Sequence, residues 1–242
     1  MYNFLISFGA ALVTLLILQF GVGLAWWVSL LIALPVFAGV FFLISRFIMN
    51  KVMAIVEGAS KDLQAQRVEK AIRELQTAFK YSKWQMYVEG QINAQIGMIH
   101  FMKREFNVAF PYLEKAFFKN WVAMGMLAVT YMKRSKKDKM RETFDKALQW
   151  SGKESLLWNL YAWCLNDCGE RDKAIETLEK ALKKIPGDEN TKTNLELLKE
   201  GKPLKMKNYG EMWLQFHLEK QSVVMKQQMA AMGGMRRKFM RR

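Results

Sequence analysis

The first 45 residues of the chain contain no charged side chain, and this run limits what the protein can fold into. Arg46 is the first charged residue, and charges are frequent from Lys51 onward. A helix rises about 1.5 Å per residue, so a single straight helix over the run would be roughly 70 Å long. Because the hydrocarbon core of a bilayer is about 30 Å thick, the run predicts two membrane spans.

A glycine-containing turn at residues 21–23 divides the run into two segments, residues 3–20 and 26–47. Each segment is close to the roughly 20 residues that a spanning helix needs. Two tryptophans begin the second segment, where interfacial aromatic residues are common. The sequence therefore predicts a transmembrane helical hairpin over residues 1–50.

Lysine and arginine set the expected orientation of this hairpin. The turn has neither, whereas Arg46 and Lys51 flank the inner end of the second span, and the whole chain has a net charge of +15. By the positive-inside rule, we expect both termini and the soluble part to lie on the cytoplasmic side of the cell inner membrane. The 2 cysteines agree with a reducing compartment, since they define no disulfide framework.

Two other interpretations of the N-terminal segment compete with the hairpin. A secretory signal peptide has a basic start and an apolar stretch of about 7–15 residues, but this N-terminus has no basic side chain and a longer apolar run. A buried hairpin in a soluble protein would need a larger domain around it. We therefore expect the hairpin to stay uncleaved and to contact the lipid bilayer.

The charged part of the chain repeats a short pattern: a small or Met residue, an apolar residue four positions later and an alanine three positions after that. The four copies begin at Ala71, Ala109, Met140 and Ala174. The intervals between their final alanines vary around a period of about 34 residues, which is typical of paired-helix repeats. With only 4 prolines in the chain, the pattern predicts an all-α fold.

The best copy extends over residues 155–188. Its characteristic positions are Trp158, Tyr161, Ala162, Leu165, Gly169, Ala174, Leu178, Ala181 and Pro186. The pattern resembles the tetratricopeptide repeat, with Tyr in place of Leu, Ala in place of Gly and Leu in place of the aromatic residues. Small residues let two helices approach closely, and the proline ends the second helix. The resemblance implies an α-α superhelical repeat domain that binds proteins, with an unrelated helical bundle as the alternative.

The other copies set the expected domain boundaries. Two copies lie around residues 96–116 and 124–147, and the copy at Ala71 keeps only its second helix, as a degenerate repeat or a juxtamembrane helix would. Residues 190–198 predict a capping helix. The expected domains are a hairpin over 1–50, a juxtamembrane segment or degenerate repeat over 51–89, repeats with a cap over 90–201, and a basic Met-rich C-terminal helix and tail over 202–242.

The resemblance also implies which first-helix side chains line a concave groove. They are Gln91, Ala94, Met98, Phe101 and Met102, then Val122, Gly125, Val129, Met132 and Lys133, and then Leu156, Asn159, Trp163, Asn166 and Asp167. Ala94 and Met98 stand where carboxylate-clamping members have Lys and Asn, so we expect no carboxylate clamp.

The expected groove is apolar and Met-rich through two copies, which suits an amphipathic helix or another apolar segment. The residues expected to contact a protein partner are Met98, Phe101, Met102, Val129, Met132, Lys133, Trp163 and Asn166. The alternative is that they pack inside the stack.

Motifs for catalysis are missing from the sequence. It contains no Walker loop, no dinucleotide fingerprint and no G-x-S-x-G elbow. His100 stands where an aromatic residue packs in the family, and Cys164 and Cys168 share a helix face without other ligands nearby. We therefore expect no enzyme activity, no metal and no cofactor.

The C-terminal residues 202–242 carry ten Lys or Arg against two Glu. A helix is expected over 212–232, with an apolar stripe of Leu214, Leu218, Met225, Met229 and Met232. Three interpretations remain open: packing on the repeat domain, binding to anionic lipid at about 1 kcal/mol per basic residue, or RNA binding. The densest basic cluster, which would make the lipid or RNA contacts, is Arg236, Arg237, Lys238, Arg241 and Arg242.

These observations together predict a membrane-anchored scaffold or adaptor that holds a protein partner at the cytoplasmic face of the membrane. The alternative is a membrane-bound RNA- or ribosome-binding factor that uses the basic tail. The apolar stripe of the tail also suggests that the tail occupies the groove until a partner displaces it.

Overall fold

A computed structural model describes residues 1–219, and every regular element in that part of the chain is helical, which confirms the predicted all-α class. The chain forms two compact units. The first consists of Met1–Ile99 with Lys115–Phe117, and the second of His100–Glu114 with the chain from Phe118 onward.

The first unit begins with the apolar hairpin. Helix α1 extends over Tyr2–Leu16 and continues as a π-helical turn, Ile17–Gly21, and helix α2 extends over Trp26–Gln64 with Pro35 inside it. Both helices are long and apolar enough to cross a membrane by length and composition.

Small and polar side chains lie between the two helices of this hairpin. Asn3, Ser7, Ser29 and Ala33 are buried there, and Asn3 Nδ2 donates to Ser45 Oγ at 2.6 Å. Most of the large exposed apolar side chains of the described chain lie on the outside of the hairpin. Small residues and hydrogen bonds inside, with apolar side chains outside, are typical of helices that pack in lipid.

Helix α2 does not end with the apolar run. It continues without a break to Gln64, where the chain turns into α3, Val68–Thr77, which packs back on it. The predicted boundary at residue 50 therefore falls inside a helix, because the sequence there holds no helix breaker. A 3₁₀ turn, Ala78–Tyr81, and helix α4, Val88–Met102, follow.

The second unit is built from helix pairs and contains the last turn of α4. Its helices are α5 (Phe106–Glu114), α6 (Trp121–Lys133), α7 (Lys137–Ser151), α8 (Ser155–Asp167), α9 (Arg171–Lys184), α10 (Glu189–Lys199) and the short α11 (Glu211–Leu214). The alanines of the repeated pattern that lie in these helices, Ala109, Ala147, Ala174 and Ala181, are buried where neighbouring helices approach. Helix α10 covers the predicted capping helix, and Asp188 caps its start by accepting the Thr191 N–H at 2.8 Å.

Five turns of one type connect helices along the chain. Each has a residue with positive φ, at Gln66, Arg104, Ser135, Gly169 and Gly201. The residue after each of these donates its N–H to a carbonyl five positions back, over 2.8–3.0 Å, the bond that closes a Schellman motif. The first four turns follow one another at the same three intervals as the final alanines of the repeated pattern. The hydrogen bond of each turn joins residues five positions apart, and the five turns mark the ends of successive helices from α2 to α10.

Candidate functional site

Part of the predicted groove in the second unit is covered by the chain itself. Residues 202–219, which we call the strap, follow the turn at Gly201 and lie against residues at the end of α4 and in α5, α6, α8 and α10. The contacts divide into a polar end, an apolar middle and a basic end.

The polar end begins where the strap leaves α10. The Lys205 N–H donates to Asn194 Oδ1 at 2.7 Å, and Asn194 Nδ2 donates to Asn159 Oδ1 at 2.8 Å. The Tyr209 hydroxyl lies 2.7 Å from Ser155 Oγ, and burial raises the pKa of Tyr209 to about 12. Asn159 and Asn194 are almost completely buried, so these hydrogen bonds satisfy groups that would otherwise be costly to bury.

The Ser155 hydroxyl also donates to Asp188 Oδ2 at 2.6 Å, which ties the strap to the cap of α10. Burial acts to raise the pKa of Asp188, but the hydrogen bonds from Ser155 and Thr191 outweigh it and lower that pKa. The carboxylate form therefore stabilises this end of the site.

Two aromatic side chains form the apolar middle of the strap. Trp213 is 1% exposed, and its ring meets the ring of Trp163 edge-on with centroids 5.5 Å apart. Phe216 is fully buried over Gly125, where an added Cβ would lie 3.0 Å from Phe216 Cε1 and 3.1 Å from Leu160 Cδ2. The glycine in α6 thus leaves the space that the phenylalanine ring uses.

The basic end surrounds His217. Its Nε2 lies 3.1 Å from the Met102 carbonyl oxygen, and its ring stacks on Phe101 with centroids 5.8 Å apart. Lys133 Nζ donates to the His217 carbonyl oxygen at 3.3 Å and lies 4.2 Å from the ring centre of Phe106.

Charge and burial act together on this end. Burial lowers the pKa of His217, and the positive charge of Arg104 lowers it further. The same two causes lower the pKa of Lys133. The strap therefore presents a neutral imidazole to a site that is already positive.

Four of the predicted groove residues contact the strap. Phe101 and Trp163 pack on its rings, Lys133 donates to it, and Met102 contributes its backbone carbonyl.

The other four predicted groove residues are placed differently. Val129 is fully buried, while Met132 and Asn166 are half-buried. Met98 belongs to the first compact unit.

The strap differs from the predicted amphipathic helix over 212–232. Helix α11 ends at Leu214, and the inward side chains are Trp213 and Phe216, while Leu214 and Leu218 are only half-buried. Gly210 has φ 57° and ψ −134°, a conformation open mainly to glycine, and it turns the chain before the two aromatic residues.

The rest of the predicted stripe, Met225, Met229 and Met232, lies outside the described residues. So does the predicted basic cluster of Arg236, Arg237, Lys238, Arg241 and Arg242.

The remaining candidate ligands have structural surroundings. Cys164 is fully buried, and burial, then the neighbouring Cys168, raises its pKa, which disfavours the reactive thiolate. His100 Nδ1 lies 2.6 Å from Glu105 Oε2 and the ring stacks on Tyr112. Within residues 1–219, no group of three His, Cys, Asp or Glu side chains is placed to hold a metal ion.

Comparison with known families agrees with the geometry of the second unit. The family model described as tetratricopeptide repeat matches residues 156–186, which cover most of α8 and α9 with the turn at Gly169. Residues 156–186 therefore match one tetratricopeptide repeat. No curated protein and no solved structure matches the chain.

Proposed function

We propose that the protein is a membrane-anchored scaffold, without enzymatic activity, that binds a protein partner in the groove now covered by the strap. Tetratricopeptide domains generally act in protein–protein interaction, and this coarser assignment follows from the family. The observation that supports the finer proposal is the seated strap, because two aromatic side chains of this segment are buried against residues of α6 and α8.

Support for the anchor comes from the exposed side chains of the hairpin. Leu5, Phe20, Trp26 and Leu43 are among many large apolar side chains that are 60% exposed or more, and water penalises such a surface. A bilayer would remove this penalty. The charges at Arg46 and Lys51 favour a cytoplasmic repeat domain.

A photo-crosslinking experiment tests the partner site. A crosslinking amino acid replaces Met132, a half-buried residue of α6 that the repeat pattern predicts to line the groove, in full-length protein in its native membrane. A matched variant carries it at Lys180, which is well exposed on α9. We expect a discrete protein adduct from position 132 that grows when Trp213→Ala weakens the strap, and none from position 180. Equal adducts from both positions would refute the proposal.

Cysteine labelling tests the anchor and its orientation. In a chain with Cys164→Ala and Cys168→Ser, a cysteine at Val22 should react with an impermeant thiol reagent added to intact cells, and a cysteine at exposed Lys180 should not. The opposite pattern would place the repeat domain outside the cytoplasm.

The alternative function, RNA or ribosome binding, rests on the seven Lys or Arg and no Asp or Glu in residues 220–242. It predicts that binding of single-stranded RNA weakens with log[salt] by a slope near 0.7 per neutralised phosphate. Absence of RNA binding at low salt would remove this alternative.

A further inference from the structure

We infer that the groove accepts a partner segment with two aromatic side chains three positions apart, the second followed directly by an acidic residue. This inference deepens the proposed function and rests on it. The strap carries the argument, because it shows the chemistry that the groove accepts at each of three positions.

The first two positions are aromatic because of the space that α6 and α8 leave. The ring of Trp163 offers its face or edge to the first aromatic residue, as it does to Trp213 at 5.5 Å. The second aromatic residue must be flat and must enter over Gly125, since a single added carbon there would already approach Phe216 to 3.0 Å. The strap meets both requirements with a spacing of three residues.

The third position is suited to an anion, although the strap places a histidine there. His217 is faced by the aromatic rings of Phe101 and Phe106, by the Met102 carbonyl, and by the two cations Arg104 and Lys133. Among residues 1–219, no carboxylate forms an ion pair with either cation. Lys133 directs its hydrogen bond at a neutral backbone oxygen.

A carboxylate at this third position would give up the hydrogen bond that His217 Nε2 makes to the Met102 carbonyl, but it would gain an attraction to the two cations that a neutral imidazole does not have. Charged pairs at the edge of an interface contribute to partner choice in this way. A partner with Asp or Glu directly after the second aromatic residue should displace the strap, which holds the groove closed through the same aromatic contacts but lacks the charge.

The test places the acid in the strap of the full-length protein and measures how often the strap opens. His217→Glu is compared with His217→Gln, which has nearly the same shape and no charge. The readout is the rate of chymotrypsin cleavage after Trp213, divided by the rate for a free peptide with the same sequence. When opening is fast, this rate reports the open fraction.

We expect cleavage of His217→Glu to be about 3- to 10-fold slower than cleavage of His217→Gln at low salt. The difference should disappear when Arg104→Gln and Lys133→Met are combined with each variant, and should shrink near 1 M salt, where the Debye length is about 3 Å. Equal or faster cleavage of His217→Glu would overturn the inference.

A binding measurement keeps the inference testable if the strap variants fail to fold. Full-length protein with Trp213→Ala, whose strap is weakened, is titrated with labelled peptides that copy residues 205–219 with Glu or Gln at position 217. Tighter binding of the Glu peptide, by a similar factor, supports the inference, and equal binding overturns it.

The outcomes for the function and for the inference are distinguishable. A groove adduct at Met132 without any preference for Glu leaves the scaffold proposal standing and removes the inference. A preference for Glu without an adduct supports the chemistry of the groove and counts against the scaffold proposal.

Discussion

The substitution Gly125→Ala separates the strap from the stability of the repeat domain, because it should change the two in opposite directions. The added Cβ would lie 3.0 Å from Phe216 Cε1 and 3.1 Å from Leu160 Cδ2. Overpacking of this kind costs about 1–3 kcal/mol. In the interior of α6, however, alanine is favoured over glycine by about 1 kcal/mol.

The strap can relieve the overlap with Phe216 by leaving the groove. The contact with Leu160 remains in both states and is relieved when the end of that flexible side chain moves by a few tenths of an ångström, so the repeat domain keeps the helix-stabilising methyl group. We therefore expect cleavage after Trp213 to become about 5- to 150-fold faster, since every 1.4 kcal/mol changes an equilibrium tenfold. Cleavage inside α7 and α8, which requires unfolding of the repeats, should not become faster.

The matched control is Gly125→Ala combined with Phe216→Ala, in which the ring that the methyl group would meet is absent. Compared with Phe216→Ala alone, this double variant should show unchanged strap cleavage and a higher denaturant midpoint of the repeat domain. The reasoning is wrong if Gly125→Ala leaves strap cleavage unchanged in the otherwise native chain, or if it lowers the midpoint in the control.

Three further results are expected from the contacts of the strap. Trp213→Ala should remove about 3–5 kcal/mol of packing and accelerate strap proteolysis at Phe216 by about 100-fold or more, whereas Leu214→Ala, at a half-buried position, should change it little. Docking of the strap should be strongest above pH 6.5 and weaken below it, because the docked state lowers the pKa of His217 and so binds fewer protons than the released state. The rate of strap proteolysis at pH 5.5, compared with the rate at pH 7.5, checks this. The variant His217→Asn should abolish the difference between the two rates. Asp188→Ala should remove the cap of α10 and lower the free energy of unfolding by about 0.5–2 kcal/mol. In the native chain the free energy of unfolding should decrease as the pH falls below 3.8, since folding lowers the pKa of Asp188. Urea unfolding of the native and variant chains across pH 3–7 measures both effects.

The repeats could be predicted because small residues at helix contacts leave a strong sequence signal. The unequal intervals between the repeated alanines reappear, in the same order, between the positive-φ turns. The turn residues themselves could not be predicted from identity, since Gln66, Arg104 and Ser135 adopt a conformation that glycine takes most easily. Each turn makes the same backbone hydrogen bond whichever residue has the positive φ, so residue identity carries little signal.

The strap was only partly predictable. Its docking on the groove follows from a tail with apolar side chains, but the helical pattern over 212–232 selected Leu214 and Leu218 as the contacts. Two signals favoured the observed arrangement: Pro203, which disfavours a helix before it, and Gly210, which permits the turn before Trp213. The sequence around residue 50 contains no helix breaker, and it gives no other indication that α2 continues past that residue.

The order of synthesis gives the seated strap one more consequence. Trp163, which packs on Trp213 in the groove, leaves the ribosome before it, and at about 5–20 residues per second the 50 residues that separate them take roughly 2.5–10 s. During that interval the groove has no cover, and uncovered apolar surface associates readily.

A partner already present during translation can therefore bind an empty groove, whereas a partner that arrives later must wait for the strap to open. Co-synthesised partners should assemble with the protein faster than partners mixed with the finished chain. Trp213→Ala should make the two assembly rates equal, because both kinds of partner then meet a groove that the strap does not cover.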